Sequence, residues 1–164
     1  MLWLGLHLPQ LPLEVFQRAD PSPAESSLPL AICNRTHVEQ ASPAAAARGV
    51  RIGQQRATAL AVAPDLIIRE RDVSREQQAL HQVAGWTLQF TPRVSLQSPT
   101  PDRADAGLLL DIEASLRLFG GLDALLERIR VGLASLGFSA RIGCAPTATA
   151  AWLFARWQDG LVVR

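Results

Sequence analysis

The sequence predicts an α+β fold in which strands and helices alternate around a small sheet. Short apolar runs bounded by Pro, Gly and Asp are typical of strands. Leucines recur at helical spacing from Leu122 to Leu136, which predicts a long amphipathic helix. With 164 residues, 48% of them hydrophobic, the chain can bury one core, or one core and a small appendage.

The amino-terminal segment predicts two strands with a short helix between them. Residues 2–8 form the first strand, which Pro9 ends, and Pro12 opens the helix. Residues 20–27 are rich in Pro and Ser and predict a surface loop. Residues 28–33 predict the second strand, and the first strand is its candidate partner.

An Ala-rich helical insert is predicted near residues 42–64. Ser42 is suited to the N-cap, Pro43 to the first helical position, and Gly49 to the position beyond the end. A second small helix and a brief strand follow, over residues 58–63 and 66–69.

The remaining sequence predicts two longer helices and most of the strands. Ser74 and Gln77 have the spacing of a capping box before a helical face that reaches Leu88. Gly137 closes the helix that starts at Leu122. The other predicted elements are strands over 94–96, 108–112, 140–144 and 161–163 and a helix over 147–157.

Two acids follow the apolar run of the 108–112 strand. Side chains alternate along a strand, so Asp111 and Glu113 are expected on one face, where carboxylates can hold Mg²⁺. Glu14 is a candidate third ligand. The alternative, which we favour, is that Asp111 bonds backbone at the strand end and Glu113 faces solvent. Gly120-Gly121 predicts a turn rather than a phosphate cradle.

Composition excludes several classes of protein. The net charge of +1 gives no overall signature of nucleic-acid binding, and all 16 basic residues are Arg. Cys33 and Cys144 lie in apolar runs and predict buried, reduced thiols. No apolar run is as long as a membrane span, and the first residues lack the basic start of a signal peptide. We therefore expect a cytoplasmic protein.

Four sets of segments, spread over nearly the whole chain, occur in an order that resembles that of a known protein family. They are Leu2–Phe16, Arg48–Gly53 with Ala63–Leu66, Phe90–Leu96 with Leu108–Gly121, and Ala140–Pro146. This order resembles the amino-terminal half of the Y-family translesion DNA polymerases (UmuC-like proteins). It is most similar to their ImuB branch, which consists of polymerase-like proteins of bacterial damage-induced mutagenesis.

The resemblance implies a polymerase palm with a ferredoxin-like mixed sheet and helices on one face. The palm would comprise residues 1–35 and 66–164, and a small helical fingers insert would comprise residues 36–65. The thumb and little finger are absent and would be expected after Arg164.

By the same resemblance, the family's catalytic carboxylates are missing. Their positions fall on His7, Gln97 and Ser98, and Asp111 matches a later acid that is not a principal metal ligand. The sugar-gating position falls on Pro12, the triphosphate-binding positions on Pro43 and Ala46, and a lysine position near Trp152.

Mg²⁺ prefers hard oxygen ligands, so the missing carboxylates predict a polymerase homologue without activity, metal or cofactor. The predicted function is a non-catalytic scaffold in bacterial error-prone translesion synthesis, within the SOS response and DNA repair. The alternative is an active Mg²⁺-dependent nucleotidyltransferase that uses Asp111 and Glu113. A third possibility is a palm-like domain without a role on DNA.

The resemblance also implies the partners. They are the sliding clamp, an ImuA-type RecA-like protein and an error-prone C-family polymerase, contacted mostly through regions beyond this chain. Arg48, Arg51 and Arg56 are candidate contacts to DNA phosphates, with an ordinary solvated rim as the equal alternative. The remaining expectations are a structural role for His7, surface positions for His37 and His81, and packing roles for Trp86, Trp152 and Trp157.

Overall fold

The computed structural model describes residues 1–18 and 28–163, so the loop predicted at 20–27 lies outside the described residues. The α+β class is confirmed. The strands are β1 (Trp3–His7), β2 (Leu30–Cys33), β3 (Val38–Ala41), β4 (Ile67–Glu70), β5 (Val94–Gln97), β6 (Gly107–Asp111), β7 (Arg141–Ala145) and β8 (Leu161–Val162). The α-helices are α1 (Leu11–Gln17), α2 (Pro43–Ala47), α3 (Arg56–Val62), α4 (Val73–Thr87), α5 (Leu116–Phe119), α6 (Leu122–Ser135) and α7 (Ala148–Trp157).

The chain divides into two compact units, Met1–Leu11 with Ser74–Arg164 and Pro12–Val73. The first unit contains a five-stranded sheet in the order β5-β6-β1-β7-β8. Its central strand β1 is antiparallel to β6 and to β7, while β8 is parallel to β7, so the sheet is mixed, as predicted. The division into palm and fingers at residues 35/36 and 65/66 stays a prediction.

Helix α7 covers one face of this sheet at very short range. A Cβ atom on Gly5 would lie 2.5 Å from the carbonyl oxygen of Ala151, and one on Gly143 would collide with Ala155. The helix backbone can approach the sheet this closely because β1 and β7 each present a glycine there.

The opposite face of the sheet is also buried. Leu4, Leu6, Leu108 and Leu110 alternate with the residues that face α7, and all four are fully buried. The helices of this unit with long buried stripes are α4 and α6. The residues on both faces of the sheet are therefore buried.

The second unit contains a three-stranded sheet in the order β3-β2-β4. Strand β2 is antiparallel to β3 and parallel to β4. The expected pairing of β2 with β1 is wrong, because β6 and β7 already occupy the two edges of β1. The sequence also missed β3, because Glu39 and Gln40 break its apolar pattern. This unit has its own small core of Ala31, Cys33, Val38, Ala45, Val50, Ala59, Ala63 and Leu66.

The predicted N-cap is confirmed for the first helix of the Ala-rich insert and is wrong for α4. The hydroxyl of Ser42 accepts a hydrogen bond from the backbone N–H of Ala45 at 3.2 Å, and Pro43 is the first residue of α2. In contrast, α4 already begins at Val73, so Ser74 lies inside its first turn and is not the N-cap.

The two cysteines are free and buried, as predicted. Burial raises the pKa of the Cys33 thiol, which keeps it protonated. Within the described ranges, no helix is both long and apolar enough to cross a membrane.

Candidate functional site

A row of four residues crosses the first sheet at the carboxyl end of β1. His7 pairs with Gly107 on β6 and with Arg141 on β7, and Gly107 pairs in turn with Gln97 on β5. Residues in one row of a sheet point to the same face. His7 therefore lies between an arginine and a glycine.

His7 is held in a nearly closed environment. The side chain of His7 is 10% exposed, and its ring meets the Trp152 ring edge-on at 5.5 Å between centroids. Its Nε2 lies 3.6 Å from Oδ1 of Asp105. Its Nδ1 has no hydrogen-bond partner among the described residues. Burial is the largest effect on the pKa of His7 and lowers it below 6.5; Asp105 opposes this shift, while Arg141 and Arg156 add to it. The ring is therefore neutral at pH 7.

Trp152 fills the space in front of Gly107. A Cβ atom at residue 107 would lie 2.6 Å from Cζ3 of Trp152 and would also collide with the carbonyl oxygen of Leu6. A longer side chain at this position would require the indole and the neighbouring strand to move. This part of the sheet thus has no room for a carboxylate beside His7.

Asp105 is the only carboxylate that the structure places in contact with His7 within the described ranges, and it is shared with arginines. Arg156 from α7 lies 3.0 Å from Oδ2, and Arg103 lies 3.6 Å from the same atom. Among the described residues, no three His, Cys, Asp or Glu side chains come together as a possible metal site.

The structure separates two of the residues that the sequence placed in one site. Strand β6 lies between His7 and Gln97, so their Cα atoms are roughly 9–10 Å apart, twice the spacing of neighbouring strands. Ser98 is exposed beyond the end of β5. The residue adjacent to His7 on the next strand is Gly107, which sequence reasoning did not consider.

The expected common face for Asp111 and Glu113 is wrong. The strand ends at Asp111, and Glu113 begins a 3₁₀ turn, so strand alternation does not reach it. Oδ2 of Asp111 accepts a hydrogen bond from Arg93 at 3.0 Å, and Oδ1 accepts one from the backbone N–H of Glu113 at 3.4 Å. The side chain of Glu113 is 58% exposed. The favoured alternative is confirmed, with the ion pair to Arg93 as an addition.

Gly120 and Gly121 form the predicted turn, between α5 and α6. Both have positive φ angles, 81° and 106°, which favour glycine. Gly120 is the left-handed residue that ends α5.

The three candidate DNA-binding arginines lie in the second unit. Arg48 forms an ion pair with Asp65, so part of its charge is compensated locally. Arg51 and Arg56 are exposed. Their role on DNA remains a prediction.

The aromatic residues behave differently from one another. Trp86 packs edge-on against Phe90 at 5.1 Å and Trp152 is half-buried, in agreement with the predicted packing roles. Trp157 is 82% exposed, so its predicted packing role is wrong. His37 and His81 are exposed, as expected.

Sequence reasoning missed most of the residues that surround His7. Asp105 and Arg103 lie between the strands predicted over 94–96 and 108–112 and received no role, and Arg141 and Arg156 were ordinary residues of a predicted strand and a predicted helix. Strand register brings Arg141 beside His7, and the packing of α7 brings Arg156 beside Asp105. No local sequence pattern carries this information.

Comparison with known proteins identifies the family. A family profile described as impB/mucB/samB matches residues 11–156. The protein ImuB of Caulobacter vibrioides strain NA1000 / CB15N is 36% identical over 115 residues, which cover 70% of this chain and 24% of that protein. ImuB of strain ATCC 19089 / CIP 103742 of the same organism gives the same values.

Solved structures confirm the fold. A post-insertion binary complex of Dbh DNA polymerase has a TM-score of 0.75 at 18% identity, and DinB from Sulfolobus solfataricus has a TM-score of 0.69 at 18% identity. Each comparison covers 100% of this chain and 48% of the solved chain. The chain thus spans about half the length of these structures and about a quarter of ImuB. It belongs to the impB/mucB/samB family, as an ImuB-type homologue of the Y-family DNA polymerases.

Proposed function

We propose that this chain is a non-catalytic, polymerase-like scaffold in bacterial error-prone translesion DNA synthesis. One observation carries the proposal: the row Arg141–His7–Gly107–Gln97 contains no carboxylate. We further propose that the first unit is the palm and that the second contains the fingers insert.

The chemistry of nucleotide addition supports this reading. Two-metal phosphoryl transfer needs several carboxylates around ions that are roughly 3.5–4 Å apart. Here a neutral imidazole and a glycine stand side by side, and Asp105 is bonded to Arg156. Neutral imidazole is a poor ligand for Mg²⁺, which prefers hard oxygen atoms.

Steric exclusion is a second, independent support. Trp152 packs against His7 and against the position where a side chain of residue 107 would begin. In Y-family proteins, by the resemblance drawn from the sequence, a lysine stands near this position. An indole there adds no positive charge for a triphosphate.

The remaining parts of the proposal rest on kinship to ImuB. The proposed partners are primer–template DNA, the sliding clamp, an ImuA-type RecA-like protein and an error-prone C-family polymerase. Arg51 and Arg56, with Arg48 partly compensated, are the proposed DNA contacts of the second unit. These roles place the protein in the cytoplasm.

Primer extension by the purified protein, with Mg²⁺ or Mn²⁺, tests the proposal. We expect no incorporation by the wild type. Incorporation that Asp111→Ala abolishes would instead establish the nucleotidyltransferase alternative, because Asp111 and Glu113 are the acids on which that alternative depends. Incorporation that Asp105→Asn abolishes would overturn the proposal too, since it would show a metal site at His7.

Binding of primer–template DNA tests the role on DNA. We expect binding that weakens with salt and falls on charge reversal of Arg48, Arg51 and Arg56. Binding that is independent of salt and of these three residues would favour a palm-like domain without a role on DNA.

A further inference from the structure

A group of basic side chains surrounds Asp105 at the His7 end of the first sheet. The guanidinium groups of Arg156 and Arg103 lie 3.0 and 3.6 Å from Oδ2 of this one carboxylate. Arg141 donates a hydrogen bond to the backbone carbonyl of Arg156 at 3.4 Å, which brings its guanidinium to the same end of α7. The three side chains come from a loop, a strand and a helix, and the fold alone brings them together.

The charges in this group do not balance. Arg156 pairs with Asp105, and the guanidinium of Arg141 contacts a backbone carbonyl, so Arg141, Arg156 and Asp105 together carry a charge of +1. The neutral ring of His7 adds nothing to this sum at pH 7. The charges of Arg141 and Arg156 both act to lower the pKa of His7, after the larger effects of burial, which lowers it, and Asp105, which raises it.

The group is accessible from solvent although His7 behind it is closed. The side chain of Arg156 is 41% exposed and that of Arg103 is 68% exposed. Arg141 is also exposed. The planar guanidinium fork matches the oxygen atoms of a phosphate group, and such charge-assisted bonds are about twice as strong as neutral ones.

We propose that Arg141 and Arg156, assisted by Arg103, bind a phosphate group without a metal ion. The phosphate belongs either to a DNA strand or to a free nucleotide. The arginines then provide the positive charge that metal ions provide at a catalytic palm. This inference rests on the proposed function only in its choice of nucleic-acid phosphate as the ligand.

The test is the binding of a fluorescein-labelled single-stranded oligonucleotide to the 164-residue protein, followed by fluorescence anisotropy in EDTA. We expect binding without any divalent metal. The double variant Arg141→Gln/Arg156→Gln should bind at least about tenfold more weakly at low salt. It should also lower the slope of log affinity against log salt by about 0.7 for each lost phosphate contact on a single strand.

A matched control removes the same charge from two other helices, α5 and α6. Arg117 and Arg128 are exposed on α5 and α6, and Arg128 lies over the ring of Phe119. The variant Arg117→Gln/Arg128→Gln should keep more than half of the wild-type affinity. Equal losses in both double variants would overturn the proposal, because they would show an effect of net charge only.

A variant that is expected to bind more tightly separates loss of the site from loss of folding, because an unfolded protein would not gain affinity. Asp105→Asn removes the carboxylate that competes with phosphate for Arg156 and Arg103. We expect it to raise the affinity by about threefold or more, because two arginines lose their internal partner. An unchanged or lower affinity in a variant with wild-type thermal stability would contradict the proposed site.

Competition separates the two sources of phosphate. Displacement of the oligonucleotide by a deoxynucleoside triphosphate in EDTA would identify a free nucleotide as the ligand, and resistance to it would identify the strand. Binding that requires Mg²⁺ would overturn the metal-free site and leave the lack of polymerase activity, tested by primer extension, unaffected.

Discussion

The two ends of the β1–β6 strand pair carry charged groups in different balance. At one end, where Trp3 pairs with Asp111, a buried carboxylate has a single arginine partner, Arg93. At the other end, where His7 pairs with Gly107, one carboxylate is shared among arginines beside a neutral histidine. The acid at the first end therefore has a structural role, while the other end carries excess positive charge.

The residues at the two ends also differ in what they contribute to the sheet. The carboxylate of Asp111 accepts hydrogen bonds from Arg93 and from the backbone N–H of Glu113 at the end of the strand. His7 and Gly107 pair through their backbones but supply no ligand oxygen from their side chains. Within these two strands, Asp111 is therefore the one carboxylate, and it is engaged in structural contacts.

The largest effect is expected for Gly107→Ala. The added Cβ would collide with the carbonyl oxygen of Leu6 and with the ring of Trp152, so we expect the free energy of unfolding to fall by about 3 kcal/mol. Urea unfolding measures this change. Gly85→Ala is the matched control, since nothing lies within 4 Å of its added Cβ, and a helical alanine should be neutral or stabilising. A loss below about 1 kcal/mol for Gly107→Ala would show that the His7 end has spare room.

Two tryptophans of α7 give the next largest difference. Trp152→Ala removes the ring that packs on His7 and should cost about 2 kcal/mol of unfolding free energy. Trp157→Ala removes a ring that is 82% exposed and should cost less than about 0.5 kcal/mol. Thermal unfolding of both variants measures the two losses of unfolding free energy and shows whether the loss for Trp152→Ala is the larger. Equal costs would mean that Trp152 is not a packing residue of this site.

At the opposite end of the strands, Asp111→Asn should cost about 1 kcal/mol of unfolding free energy. The amide retains an oxygen for one hydrogen bond but loses the charge that pairs with Arg93. Binding of the oligonucleotide in EDTA should be unchanged in this variant. A clear loss of binding with an unchanged thermal midpoint would contradict a purely structural role for Asp111.

The smallest effect concerns pH. The pKa of His7 is lowered in the folded state, so the unfolded chain binds the proton first as the pH falls. The contribution of His7 to stability is therefore present above pH 6.5 and is lost as the pH falls from 6.5 towards the lower folded pKa. Stability curves from pH 7.5 to pH 5 should be shallower for His7→Gln than for the wild type. Identical slopes would show that His7 titrates normally.

Much of the fold could be predicted from the sequence, because its signals are local. Short apolar runs placed β1, β6 and β7 within a residue or two, and the capping pattern of Ser42 and Pro43 placed α2. Strand partners could not be predicted in the same way. The assignment of β2 to the wrong partner arose because pairing depends on contacts far apart in sequence.

The candidate site was less predictable than the fold. The loss of a carboxylate at His7 was visible from the residue type, and the exposure of Glu113 followed from the favoured alternative. In contrast, the placement of Gly107, Arg141 and Arg156 depends on sheet register and on how closely α7 approaches the sheet. Single residues do not encode this information locally.

Mn²⁺ binding, measured by electron paramagnetic resonance of the free ion, tests most directly the proposal that the His7 end of the sheet holds no metal ion. The account predicts that the wild-type protein leaves the free Mn²⁺ signal unchanged, and that Asp105→Asn and His7→Gln behave identically. A stoichiometric loss of the free Mn²⁺ signal, restored by either substitution, would contradict the account. It would show that Asp105 and His7 form a metal site at this end of the sheet.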